Sequence, residues 1–444
     1  MTEFNDIPTV SRPLGQAERF FWLLDQVSPM SFSFYCHLKG ELDTTHLQAA
    51  MSRLQEEQAM LRVKVSVEAG KAFFKPVQGQ AIKVQHLDGD VDRWRDDILQ
   101  QVAKPFDAKS YPLLKCFYMG LQAGESVVFF ICHHAIADGV SISNLMQRLL
   151  MLASQPHRLR HAPVYQPNGH SLDELLPSVF QGFRGKLRAL KIRSGEMRDW
   201  YRHGNPKHVL AFSTNRAKAC QPACVRFKLS KEQTKSLLIN CKSKGFSLQA
   251  VLITAQLYAL NSSDKRRKWV SMAISSAVDV RSALSEPVSE HEIGLYMSFV
   301  LTALKFKESD AFWSIVNTAH QQLKSHLTKK AALGFWHNLP PNILFKPTEQ
   351  GARRLLSVSN ALSPASSIIS NLGCLDYSGL SGIAVLESSF NLCPSLLTSL
   401  CAAVTTVNGE LSVVLNFDRH KMNAKNVAVI SETMRILLVQ AIDT

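Results

Sequence analysis

Seven consecutive residues, His133-His134-Ala135-Ile136-Ala137-Asp138-Gly139, place two imidazoles, a carboxylate and a glycine within one connection of the chain. An imidazole titrates near neutral pH, so it can take a proton from a hydroxyl or an amine and return it later in the same cycle. That work needs a ring held rigidly with one nitrogen open to a substrate, and the flanking residues supply the hold. Val127–Cys132 is an apolar run of strand length, which reads as a buried strand. Ile142, Leu145, Met146 and Leu149 then recur at i, i+3, i+4 and i+7, the inner face of a helix. The motif therefore sits where a buried strand gives way to a helix. In a chain of this composition it should arise by accident on the order of once per thousand sequences of this length, which makes it specific for a short pattern.

Other chemistries fit less well. His134 and Asp138 stand i, i+4, a spacing that binds zinc on a helix, but here the pair straddles a strand end and no further ligand cluster accompanies it. Cys220-x-x-x-Cys224 is at most half of a metal site, since no second Cys/His pair completes it. No metal is expected. Gly-x-Ser-x-Gly, His-Glu-x-x-His, Gly-x-Gly-x-x-Gly and a phosphate loop are all absent, which disfavours serine hydrolases, metalloproteases, dehydrogenases and nucleotidases.

His-His-x-x-x-Asp-Gly on a strand–loop–helix resembles the signature of the acyltransferases related to chloramphenicol acetyltransferase. That superfamily includes nonribosomal peptide condensation domains, plant hydroxyl acyltransferases and the polyketide-associated acyltransferases of mycobacteria. Further segments are similar to it. Pro13-Leu14-Gly15-Gln16-Ala17-Glu18 resembles the opening segment, and Gly40-Glu41-Leu42-Asp43 before an amphipathic helix resembles the first strand–helix unit. Ala277-Val278-Asp279-Val280-Arg281 resembles the strand with an Asp-x-Arg, and Ile369-Ser370-Asn371-Leu372-Gly373 the Ser-Asn-x-Gly segment of the polyketide-associated branch. One segment departs: Asn416-Phe417-Asp418-Arg419 keeps only the phenylalanine of the Asp-Phe-Gly-Trp-Gly common in condensation domains and plant enzymes.

The resemblance implies an α/β fold of two chloramphenicol-acetyltransferase-like sandwich subdomains, forming a V with a central tunnel. It makes His134 the general base and gives His133 a supporting role in the loop. Asp138, in the same motif, is expected to point away from the substrate and to form a buried ion pair with Arg281. Gly139 would serve the turn and could turn its N–H toward a developing oxyanion. Ser370 and Asn371 would place polar groups near the tunnel. The implied reaction moves an acyl group from a thioester, on the phosphopantetheine of an acyl carrier protein or on coenzyme A, to a small-molecule alcohol or amine. The thioester is a co-substrate, and no separate cofactor is expected. The departure at Asn416–Arg419 shifts the expectation toward the polyketide-associated branch, hence toward esters. A carrier-binding module without catalysis is the alternative of another class.

Composition sets the frame. The chain has 444 residues, 46% hydrophobic and 19% charged, enough for two domains with real cores. No stretch approaches the ~18 apolar residues of a membrane span. Neither a basic start nor an apolar signal core follows Met1, and nine scattered cysteines read as reduced thiols, so a cytoplasmic protein is expected. The net charge of +14 is concentrated at Arg184–Arg202 and at Lys265-Arg266-Arg267-Lys268. Without a nucleic-acid motif these clusters point to a solvated surface, or to docking of an acidic carrier protein or of coenzyme A phosphates, rather than to nucleic acid.

Along the chain, strands and helices alternate through residues 1–180, the subdomain that carries the motif. A basic linker helix region occupies 181–210. A second series of strands and helices fills 211–444. Ser230-x-x-Gln233 is a capping box. Asn408-Gly409, between Cys401–Val407 and Leu411–Phe417, signals a hairpin with a type I′ turn.

Overall fold

The computed structural model describes residues 8–106, 111–165, 170–204, 220–262, 270–307, 309–338, 344–362, 365–394 and 398–443. The architecture is mixed α/β. The apolar run before the histidines forms the strand Glu125–His133, and its side chains divide by parity. Val128, Phe130 and Cys132 enter the main core, while Val127, Phe129 and Ile131 pack with Trp94, Ile98 and Val102 in a second cluster. A strand covered on both faces has to be apolar at every position, which is why no alternation was visible in its sequence.

This strand lies third in a five-stranded sheet of order Ile383–Leu392, Ser31–Gly40, Glu125–His133, Leu114–Gly120 and Val84–Asp88. One face carries the helices Thr44–Glu57 and Gly139–Ser154, and the other the helix Trp94–Ala103. Ile142, Leu145, Met146 and Leu149 are all buried. Fully burying one such side chain contributes about 1.5–3 kcal/mol, so this stripe fixes how the helix leaves the motif.

A second sheet has six strands in the order Met297–Phe306, Val270–Asp279, Ala365–Leu375, Leu400–Val407, Glu410–Asp418 and Pro222–Leu229. Helices Lys231–Ser243, Leu248–Ser262, Phe312–Thr328 and Ala424–Asp443 pack with it. The Ser230 hydroxyl accepts from the Gln233 N–H at 3.2 Å, and the Ser230 N–H donates to the Gln233 side chain at 3.0 Å, closing the capping box. Asn408 and Gly409 both have positive φ, 52° and 83°, as a type I′ turn requires. A small sheet of Arg12–Pro13, Lys71–Pro76 and Val63–Glu68 completes the strands. Among the described residues no helix is long and apolar enough to cross a membrane.

The two sheets do not divide cleanly between the two halves of the chain. Ile383–Leu392 comes from the second half yet pairs antiparallel with Ser31–Gly40, Ile383 opposite Gly40 and Leu392 opposite Phe32. The proposed parts 1–180 and 211–444 are therefore stitched together by a strand exchange. Glu387, on that strand, is 5% exposed and pairs with Arg95 at 2.9 Å and Arg226 at 2.6 Å, one from each subdomain. The Tyr35 hydroxyl donates to it as well, at 2.8 Å. Burial works against this carboxylate, but Arg95, Arg226 and Lys228 outweigh it and hold its pKa down to about 2. The linker region contains one helix, Gly182–Arg202, and residues 205–210 lie outside those described, as does the basic run Lys265–Lys268.

Candidate active site

The strand Glu125–His133 hands over to the helix Gly139–Ser154 through a short loop held from three directions. Ser31 pairs with His133 across the sheet, the His134 N–H donates to the Met30 carbonyl at 3.0 Å, and the Asp138 N–H donates to the Gly294 carbonyl at 3.1 Å. The backbone leaves little freedom to the side chains it carries.

His134 is half-buried between two rings. Phe21 stacks on it at 4.6 Å and Phe32 lies against it at 4.4 Å. Its Nδ1 is 3.2 Å from the Ala137 carbonyl oxygen. A carbonyl can only accept, so Nδ1 carries the proton and Nε2 presents a lone pair. Desolvation between the rings disfavours the imidazolium. Asp138 opposes that effect only in part, and the pKa falls to about 4. The ring is thus neutral at pH 7, the form that can accept a proton.

His133 has another position. It is fully buried, and its Nδ1 accepts from the Ala135 N–H at 3.0 Å, tying the ring to the loop. Its Nε2 faces the Asp25 carboxylate at 3.6 Å. It does not line the cavity described below.

The Asp138 carboxylate is saturated. One oxygen caps the helix, accepting from the Ser141 N–H at 2.8 Å, and also accepts from Arg281 at 3.1 Å. The other accepts from the Tyr296 N–H at 2.8 Å. Arg281 in turn donates to the Ser141 hydroxyl at 2.7 Å and to Asp279 at 2.9 Å, and lies over the Tyr296 ring at 4.8 Å. Burial opposes the guanidinium, yet Asp138 and Asp279 hold its pKa above the ordinary arginine value. This cluster joins the motif to the Asp-x-Arg strand of the second sheet.

Gly139 does not have positive φ, so tight-turn geometry is not what requires glycine there. The constraint is space: a Cβ would lie 2.8 Å from the Leu372 side chain, across the junction. As the first residue of its helix its N–H has no intrahelical acceptor.

A cavity of about 980 Å³, its open mouth included, lies beside His134. Asp138, Gly139, Ser370 and Asn371 all contribute to its wall, so the structure brings four of the sequence-predicted residues together with His134, whereas His133 and Arg281 stand behind it. Asn371 is partly committed to its own strand, accepting from the Gly373 N–H at 2.9 Å where the ladder shifts register. The rest of the wall is mostly apolar, with Phe21, Phe32, Met297, Phe299, Phe390 and Leu392. Sequence reasoning missed the aromatic pair around His134. Phe20-Phe21-Trp22 was the visible signal, but its helical phase fixes only which face is buried and not that Phe21 meets an imidazole. It also missed Cys393 and Cys401 on the wall. Burial pushes the Cys401 thiol up to about 12. Among the described residues no three His, Cys, Asp or Glu side chains are grouped as metal ligands would be.

Two family models match the chain: the condensation domain over residues 18–161, and the phthiocerol/phthiodiolone dimycocerosyl transferase C-terminus over residues 218–416. Tyrocidine synthase 3 of Brevibacillus parabrevis is 27% identical over 165 residues, which is 34% of this chain and 2% of that protein. The match therefore spans only a small fraction of that relative's length. Polyketide synthase associated protein 5 from Mycobacterium tuberculosis superposes with a TM-score of 0.70 at 15% identity, over 98% of both chains. The trichothecene 15-O-acetyltransferase of Fusarium sporotrichioides does so with a TM-score of 0.73 at 13% identity, over 97% of this chain and 95% of its own. Those neighbours share a pseudo-dimeric fold of two chloramphenicol-acetyltransferase-like subdomains. The motif at His133–Gly139 lies inside the first matched region and the Asp-x-Arg strand inside the second; the chain belongs to the superfamily of condensation domains and polyketide-associated acyltransferases.

Proposed function

We propose that the protein moves an acyl group from a thioester, on an acyl carrier protein or on coenzyme A, to a hydroxyl of a small-molecule acceptor in natural-product biosynthesis. The observation that carries this reading is the His134 ring, whose Nδ1 is committed to the Ala137 carbonyl while Nε2 is left for the cavity. The acceptor oxygen attacks the thioester carbonyl carbon as its proton passes to Nε2. The tetrahedral oxyanion then collapses, the C–S bond breaks, and the thiolate recovers the proton from Nε2. The Gly139 N–H, at the positive end of its helix, is the candidate donor to the oxyanion. Both substrates meet in one cavity, so no acyl-enzyme is needed and proximity contributes much of the acceleration. His133, Asp138 and Arg281 act by holding the loop, and Ser370 and Asn371 by offering polar groups along the wall.

Ester formation is favoured by the match over residues 218–416 and by the departure at Asn416–Arg419. Amide formation on an amine acceptor is the second reading, favoured by the condensation-domain match over 18–161. Thiol release from acyl-thioesters, measured with alcohols and with amines in parallel, tests both. Absence of acceptor-dependent release would leave a carrier-binding module without catalysis, and release that survives His134→Ala would take His134 out of the mechanism.

A further inference from the structure

We propose that the outward face of the helix Gly182–Arg202 docks the protein on an anionic lipid surface. The inference is independent of the acyl-transfer reading. The inner face of this helix is anchored: Gly185 and Ala189 are buried, Gly185 against the Phe180 backbone and Ala189 against Gly334. The opposite face is apolar and, among the described residues, has no cover. Phe183 is 75% exposed, Leu187 52%, Leu190 62%, Met197 43% and Tyr201 68%. Steps of four, three, seven and four residues put these five on one line, about 27 Å long at ~1.5 Å per residue. A helix facing water normally turns its polar side outward, so an uncovered apolar line of this length marks an interaction surface.

The charges select the partner. At 100° per residue, Lys186 falls on one flank of the line, and Arg184, Lys191, Arg198 and Arg202 on the other. The helix has two acids, Glu196 and Asp199, and both are paired with its own arginines, Glu196 with Arg193 at 3.2 Å and Asp199 with Arg202 at 3.6 Å. A second copy of this helix would bring cation onto cation, so the occupant has to be anionic. An acidic protein would need a groove matching the whole line. A bilayer needs only a plane, and single protruding side chains flanked by Lys and Arg suit one. The rings and leucines enter the acyl boundary, while the long cationic stems keep their charges at phosphate depth. On the more cationic flank, Arg188, Lys191 and Arg198 share a recess with Lys329, the buried His326 and the two acids Glu196 and Asp199, so it is the cations beside the apolar line, and not the recess as such, that meet the lipid.

The test is flotation of the intact protein with vesicles of phosphatidylcholine alone, or with about a third phosphatidylglycerol, at low salt and near 1 M salt. Binding is expected to the anionic vesicles only, and to weaken with salt. Charge reversal in Arg184→Glu/Lys191→Glu should weaken it by at least about 25-fold, at roughly fivefold per cation lost. Leu187→Glu/Leu190→Glu should abolish it. Both double variants should keep their melting temperature and their turnover of a soluble thioester analogue, so lost binding is not lost folding. Absence of flotation, or flotation undiminished in both variants, overturns the proposal. So does a dimer that Leu187→Glu/Leu190→Glu disperses, which would make the face a contact between copies. A protein that never floats but loses carrier-dependent turnover in the variants would make it a protein-docking face.

Discussion

His134 concentrates the chemistry of the site in one ring, and its surroundings make two demands on experiment. His134→Ala removes the proton acceptor and its ring contacts with Phe21 and Phe32 but leaves the backbone hydrogen bonds of the loop in place. Transfer should therefore fall by about 10²–10⁴-fold, far more than the accompanying loss of packing can account for while the protein stays folded. A variant that keeps most of its turnover would remove this residue from the mechanism. The second demand concerns pH. The ring works only when neutral, and its pKa is lowered to about 4 by burial between Phe21 and Phe32. The acid limb of kcat/KM should therefore lie near pH 4, well below the ordinary histidine value of about 6.5. Phe21→Ala should shift that limb upward by readmitting water. Stability has the same sign: between those two values the unfolded chain takes up a proton that the native ring refuses, so the native state weakens as pH falls through the window. The sequence located this residue, because a rare motif between a strand and a helix is a local signal. It could not locate Phe21 and Phe32, which reach the ring from two other elements.

Two ion-pair clusters tie the elements together, and they differ in how legible they were. Asp138 and Arg281 could be paired from the sequence because each belongs to a recognisable motif, and they lie 3.1 Å apart in the structure. Asp138→Ala would leave the Tyr296 and Ser141 N–H groups without an acceptor and Arg281 with Asp279 as its remaining carboxylate, and should cost on the order of 3 kcal/mol of stability. Arg281→Ala should cost less, since the two N–H donors remain on the carboxylate. Thermal denaturation checks both, and an inactive variant that melts like the parent would make the residue catalytic. Glu387 was invisible in the sequence. Its strand carries Glu387, Ser388, Ser389 and Asn391 buried at the junction, and buried polar residues break the apolar pattern by which strands are recognised. The exchange of Ile383–Leu392 into the first sheet was hidden for the same reason. Glu387→Gln should lower stability by about 3 kcal/mol at pH 7, from a pKa held near 2 against about 4.3 unfolded. The parent should lose that contribution as pH falls from about 4.3 towards 2, and the variant should not. Equal acid denaturation of the two proteins would show that Arg95 and Arg226 do not clamp the subdomains through Glu387.

At the scale of the whole molecule, the net charge of +14 bears on the choice of donor. A positive field of that size attracts a strongly acidic carrier protein over distances comparable with the Debye length, and so raises the encounter rate. Coenzyme A presents only a few phosphates and profits less. Carrier-bound acyl groups should then be turned over with a higher kcat/KM than the same groups on coenzyme A. The gap should narrow as salt rises, because the Debye length falls from ~10 Å at 0.1 M to ~3 Å at 1 M. Charge reversal at Lys265, Arg266 and Arg267, which lie outside the described residues, should slow the carrier-dependent reaction and spare a short thioester analogue. The membrane-facing variants in the helix Gly182–Arg202 provide the internal comparison: if lipid is the partner of that helix, they leave the carrier advantage intact. Equal efficiency with both donors, unaffected by salt, would reduce the Lys265–Lys268 run to solvated surface. The carrier would then have to be recognised by shape, at a cavity whose wall includes Gly139, Asn371 and Leu372.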